Sequence, residues 1–207
     1  MACLTSEGTT IEIRFKNFSV GWVDCEICFL SHGQPILNEN VLGRHGCREN
    51  YAPSAIFAND HRECELLWVL KKVIETNQPD YWKPIEPDVI VAIYPDMAFP
   101  FLGDKYELAW QSGETRRESE ERAILKAEKG VLPDDIITLM CFFDSYAFKD
   151  SEVYSGNGVS LHLIVKRHEI EKFYEELKAE YIEFKKQFKV DEHNFKELEN
   201  DWEPMEL

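Results

Sequence analysis

An α+β domain, in which an antiparallel sheet or sandwich carries two main helices, is the fold class that the sequence predicts. Three observations lead to it. Ile11, Ile13 and Phe15, and then Val23, Cys25, Ile27 and Phe29, alternate with polar neighbours at the period of half-buried strands. Leu66, Leu67, Leu70, Val73 and Ile74 fall at helical spacing. Residues 158–188 show both periods, because Val159, Leu161, Leu163 and Val165 alternate, whereas from Ile170 onward Phe173, Tyr174, Leu177, Tyr181, Phe184 and Phe188 recur every three or four positions. One strand therefore feeds one long amphipathic helix.

Taken in order, "TIEIRFKNFSV" and "WVDCEICFLS" read as adjacent antiparallel strands with a turn at "NFSVG". Residues 32–54 show loop chemistry with short apolar pieces. "NDHRECELLWVLKKVIETNQPDYW" reads as a helix capped by Asn59 or Asp60 and stopped by Pro79, which cannot continue it. The β-branched run in "EPDVIVAIYPD" predicts a strand over 88–94, and "KYELAW" suggests another over 105–110. Residues 111–131 are highly charged with a small apolar patch (Ala123, Ile124, Leu125, Ala127), as in a solvated helix or peripheral excursion. "IITLMCFFDSYAF" is long enough for a strand through the core, and "SGNG" at 155–158 reads as a turn that uses positive φ. The predicted organisation is one domain over 1–188 and an acidic tail over 189–207, loosely docked or disordered, with seven carboxylates.

A 207-residue chain can bury about 70% of its unfolded surface and needs no disulfide or metal to fold. Its 39 Asp and Glu against 23 Lys and Arg give a formal net charge of −16. Residues 61–207 carry −13 of this and residues 1–60 carry −3. Such a surface disfavours nucleic acid and anionic membranes and suits a basic partner or solubility alone. The absence of a long apolar run and of a basic-then-apolar start in "MACLTSEGTT" leads to the expectation of a cytoplasmic protein. In that compartment the six cysteines (Cys3, Cys25, Cys28, Cys47, Cys64, Cys141) are expected as thiols.

The cluster Cys25-x-x-Cys28, His32, His45, Cys47, His61 and Cys64 has the residue types of a zinc or thiol site. The Cys pair falls inside an alternating strand, where residues three apart face opposite sides, so no structural metal and no cofactor is expected. Nucleophile elbows and phosphate loops are missing from the sequence, so no catalytic residue is assigned. The aromatic stripe of the last helix is a core face, with about 1.5–3 kcal/mol available per fully buried side chain. Glu175, Glu176, Glu180 and Glu183 are expected on its outward face, free to meet a basic partner. Asp80, Glu86 and Asp88, in the loop before the proline-bounded strand, and the tail acids are competing locations for the same role.

The order of elements resembles a known family. Two N-terminal strands, the Trp-containing helix "ELLWVLKKVIET", the Glu-Pro-introduced strand "IEPDVIVAIYPD", a long strand, and the closing "SLHLIVKRHEIEKFYEELKAEYIEF" together look like bacterial immunity proteins of the WapI type, over residues 9–188. The resemblance implies a non-enzymatic protein that neutralises the nuclease-type domain of a toxin encoded beside it. The family is shorter, so residues 111–131 and the tail are additions to its pattern. Two other readings stand beside this one. They are a small metal or thiol enzyme built on the 25–64 cluster, and an intracellular adaptor with no toxin partner. The oligomeric state is not legible.

Overall fold

The computed structural model describes residues 1–19, 21–38, 40–41, 51–84, 89–96, 116–144 and 158–190. The α+β class holds, and among the described residues there are two antiparallel sheets and three helices. The first contains β1 (Ala2–Ser6), β2 (Thr9–Ser19), β3 (Trp22–Ser31), β4 (Gln34–Pro35) and β5 (Ala55–His61). Strand β2 pairs between β1 and β3, and the far side of β3 takes β4 at one end and β5 along the other. The second sheet runs in order β6 (Asp80–Trp82), β7 (Val89–Pro95), β8 (Ile136–Asp144) and β9 (Gly158–Lys166). The helices are α1 (Glu65–Thr76), α2 (Arg116–Lys129) and α3 (Arg167–Phe188).

The strands β1, β4, β5 and β6 were not anticipated, and the turn placed at "NFSVG" falls at the end of that stretch. Ser19 pairs with Trp22, and the chain reverses at Gly21 with φ of 85°. The alternation of β2 is broken because Lys16 is an extra residue opposite the Cys25–Asp24 step, and this bulge turns both Phe15 and Phe18 toward the core. Two-residue turns at Glu7-Gly8 and His32-Gly33 close the β1–β2 and β3–β4 hairpins, all four residues having positive φ. These turns lie against each other, the His32 amide donating to the Gly8 carbonyl at 2.6 Å. The expected strand at 105–110, the tail beyond Val190 and most of the "SGNG" turn lie outside the described residues.

Gly158 itself belongs to β9, opposite Asp144, and its need for glycine is not conformational. A Cβ there would stand 1.6 Å from the Phe143 carbonyl oxygen. The backbones of β8 and β9 close up at that point.

One apolar cluster unites the layers. It takes Ile11, Ile13, Cys25, Ile27 and Phe29 from the first sheet, Val91, Ile93, Leu139, Cys141 and Leu163 from the second, and Phe173, Leu177, Tyr181 and Phe184 from α3. Phe29 meets Phe143 edge-on at 4.8 Å, which joins the two sheets, and the Ser6 hydroxyl donates to the Ile164 carbonyl where β1 and β9 approach. The period switch at 166–170 is the β9–α3 junction, where the Glu169 carboxylate accepts the Lys166 amide at 2.7 Å. Helix α3 packs on β1, β2, β8 and β9, while α1 packs on α3, β5, β6 and β7. Among the described residues no helix is long and apolar enough to cross a membrane.

The charged stretch is helical over Arg116–Lys129, its first five residues lying outside the described ones, and its apolar residues Ala123, Ile124, Leu125 and Ala127 are exposed. Ionic contacts hold it in place. Arg122 reaches Asp134 at 2.6 Å and Asp135 at 2.7 Å, and Lys126 bridges Asp96 and Asp135. Asp135 is only 2% exposed and also accepts the Leu132 amide at 2.7 Å. Removing both cations leaves a buried carboxylate with less compensation.

Two predictions follow from this packing. Arg122→Gln with Lys126→Gln is expected to lower the unfolding free energy in urea by about 1–3 kcal/mol, whereas Ile124→Ala on the same helix changes it by less than about 0.5 kcal/mol. Gly158→Ala is expected to cost about 1–3 kcal/mol in the same titration, because the clash is with backbone that cannot rotate away.

Candidate functional site

Helix α1 is positioned at both ends by polar groups. Its first residue is Glu65, later than a cap at Asn59 or Asp60 would place it, and both of those residues belong to β5. Asp60 nevertheless supplies the cap from a distance. Its carboxylate accepts the His61 amide at 2.8 Å and the Glu65 and Leu66 amides at 3.1 Å each, while Cys64 turns the chain with φ of 55°. At the other end Asn77 takes the left-handed conformation two residues before Pro79. Leu66, Leu67, Val69, Leu70 and Val73 face the core, so Trp68, Lys71, Lys72 and Glu75 fall on the outer side.

Beside that outer face runs β6, paired with β7 through Asp80–Ile93, Tyr81–Ala92 and Trp82–Val91. Alternation buries Trp82 and turns Tyr81 outward. The result is an open groove lined by Glu65, Trp68, Val69, Asp80, Tyr81 and Lys83, with Trp82 beneath. Trp68 and Tyr81 are each 60% exposed. Lys72 spans the groove, its Nζ lying 4.9 Å from the Trp68 ring centre and 2.6 Å from Asp80 Oδ2. Asp80 Oδ1 accepts the Tyr81 amide at 2.8 Å. The hydrogen bond from Lys72 leads the effects that hold the Asp80 carboxyl below its ordinary range.

Of the acids assigned to a partner from sequence, Asp80 is on this groove, and Glu86 and Asp88 lie outside the described residues. On α3, Glu175, Glu176 and Glu183 are exposed, but each has a lysine of its own helix within 3.6 Å: Lys178, Lys172 and Lys186. Glu180 corrects the outward placement, since its side chain is 21% exposed and pairs with the Met1 amino group. The step of α3 that buries Leu177 and Tyr181 brings Glu180 against β1. The α3 face is thus a lattice of internal pairs rather than a row of free carboxylates.

The described thiols of the 25–64 cluster, Cys25, Cys28 and Cys64, lie where burial disfavours the thiolate. Cys25 lies in the core, and Cys28, three residues along β3, points to the opposite face. Burial pushes the Cys25 and Cys64 thiols well above their ordinary range and that of Cys141 up to about 12. Burial, with Glu26 next in size, also raises Cys28. A thiolate nucleophile needs the opposite shift. His61 packs on Trp22 with ring centres 4.6 Å apart and lies 3.5 Å from Glu65, while His45 and Cys47 are outside the described residues. Among the described residues no three His, Cys, Asp or Glu side chains converge as metal ligands.

Trp68 and Tyr81 are the site residues that sequence reasoning passed over. Their signal was present as exceptions to periodicity: Trp68 falls off the Leu66–Leu70–Val73 stripe, and Tyr81 alternates with the buried Trp82.

The Asp60 cap generates a pH prediction. Burial raises the Asp60 pKa above its ordinary 3.8 more than the accepted amide hydrogen bonds lower it. An acid whose folded pKa is raised contributes stability that is full below the unfolded value and is lost as pH rises through the folded one. The stability of the parent relative to Asp60→Asn is therefore expected to fall as pH rises above about 4, read by urea titrations at a series of pH values. Asp60→Ala, which removes the acceptor, is expected to cost about 1–2 kcal/mol at neutral pH. Comparisons of the chain with protein-family models, with curated proteins and with solved structures give no match.

Proposed function

We propose that this chain is a non-enzymatic protein of the bacterial cytoplasm that acts as an immunity-type inhibitor, binding a basic toxin domain of nuclease type through its acidic surface. One observation carries the reading. Two exposed aromatic side chains, Trp68 and Tyr81, flank the carboxylates Glu65 and Asp80 on a helix and a strand of the main fold, in a chain of net charge −16. Trp and Tyr in such settings are the side chains that dominate binding energy in protein interfaces, because they remove much apolar area from water at little rotamer cost. The surrounding negative field speeds encounter with a basic partner and favours one orientation of it. The Cys25–Cys64 environment lends no support to the thiol-enzyme alternative, since burial disfavours the thiolate there.

The test is direct binding to a purified toxin domain encoded in the neighbouring gene. Trp68→Ala with Tyr81→Ala is expected to weaken binding at least about tenfold with the thermal midpoint only slightly lowered, since both side chains are already mostly in water. The association rate of the parent is expected to fall steeply as salt is raised. Reversing Glu175, Glu176 and Glu183 to lysine is expected to slow association only modestly. A toxin domain that fails to bind, or a gene neighbourhood without one, overturns the reading. Loss of binding on the α3 reversal but not at Trp68 and Tyr81 removes the groove from it.

A further inference from the structure

Lys72 lies in a place that the groove chemistry suits to a cation from outside. One turn separates it from Trp68 on α1, so its ammonium comes to 4.9 Å from the indole ring centre, while Asp80 reaches it from β6 at 2.6 Å. Ring and carboxylate belong to different elements, and each is held independently. Trp68 is fixed by a helix capped at both ends, and Asp80 by the β6–β7 pairing and the Tyr81 amide. Lys72 covers only part of the indole, which stays 60% exposed, and Tyr81 forms a second exposed aromatic wall next to Asp80.

We infer that Trp68, Asp80 and Tyr81 form a recognition site for an arginine side chain of a basic protein partner, and that Lys72 occupies it in the free protein and is displaced on binding. The inference rests on the proposed function for the partner being a basic protein and adds which side chain is read and where. The chemistry favours arginine over lysine. A guanidinium is planar, so it stacks on the indole and at the same time presents a fork of donors to Asp80, which a compact ammonium cannot do. A lysine from the partner would only exchange one ammonium for another. Displaced Lys72 has a short way to go, because its side chain is already 43% exposed, and the incoming guanidinium restores the charge pair that Asp80, only 17% exposed, would otherwise lose. The resident lysine thus keeps the aromatic and carboxylate pair in place and makes the site selective.

The experiment uses the intact chain and short synthetic peptides of alternating glycine and arginine, with lysine and citrulline counterparts. Binding is followed by NMR through the Tyr81 backbone amide in every variant, and also through the indole N–H where Trp68 is present. Lys72→Gln vacates the site. Lys71→Gln makes the same change in net charge one position away, at a lysine paired instead with Glu75 at 3.7 Å. The arginine peptide is expected to bind Lys72→Gln about threefold or more tighter than the parent, and Lys71→Gln nearly as the parent. Trp68→Leu is expected to lose the preference for arginine over lysine in every background.

Equal strengthening by Lys71→Gln and Lys72→Gln would reduce the effect to general charge and overturn the inference. So would citrulline binding as tightly as arginine, or no saturable binding at millimolar peptide. The two readings fail separately. Peptide behaviour as expected with no toxin binding leaves the arginine site standing and removes the immunity reading. Toxin binding that is indifferent to Trp68→Leu and Lys72→Gln does the reverse.

Discussion

Burying a guanidinium is costly unless its donors meet acceptors, and the surroundings of Arg167 show how this chain meets that constraint at two of its three nitrogens, Nε having no acceptor among the described residues. Arg167 is the first residue of α3 and is 2% exposed. It donates to the Ile74 carbonyl near the end of α1 and to the Asn77 side chain just past it. The C-terminal end of a helix carries partial negative charge and unpaired carbonyls, so a cation there offsets part of its own desolvation. The contact continues outward. Asn77 donates to Asp96 at 2.6 Å, Lys126 joins Asp96 to Asp135, and the Arg167 amide donates to the Asp135 carbonyl at 2.7 Å. The end of α1, the exit of β7, helix α2, the entry of β8 and the start of α3 are thereby tied into one polar network.

That network bears on function through the rigidity of α1. Asp60 fixes the start of the helix from the first sheet, and Arg167 fixes its end from the β9–α3 junction. Between the two, the helix can turn its outer face in only one direction relative to β6. Trp68 therefore does not collapse onto the core, although it is the most apolar residue of that face. A side chain held in water by the backbone beneath it needs little reorganisation on binding, which is where preorganised interfaces gain affinity. The glutamates of α3 are poorer candidates for the same physical reason in reverse. A partner would have to compete with lysines already within reach on the same helix.

The parts of the fold that could be read from sequence are those where one period runs long enough to stand alone. The β9–α3 unit is the clearest case, since nine residues of alternation pass directly into a helix whose stripe continues to Phe188. Strands β7 and β8 were visible as dense apolar runs for a similar reason. Strand β5 was not. "AIFANDH" is buried at nearly every position and shows no alternation, and Asp60 at its end looked like an ordinary helix cap. Strands β4 and β6, with two and three residues, are too short to show any period. The type I′ turns at Glu7-Gly8 and His32-Gly33 lack the Asn-Gly signature, although glycine at the second position was there to be read.

The candidate site was legible to the same degree and for a related reason. Asp80 was chosen as a free loop carboxylate, whereas it lies in an edge strand with a lysine from α1 upon it. Pairs of that kind join residues whose proximity only the α1–β6 packing creates, and no local pattern announces them. What sequence can show is a violation: a tryptophan at the outward position of an otherwise well-formed amphipathic helix. A tryptophan that stays 60% exposed buries little of its ring in the folded chain, so folding gives little reason for its size. Its neighbours Lys72 and Asp80 then suggest what the ring is for, because a flat electron-rich face beside a carboxylate suits a cation and has little to offer an anion.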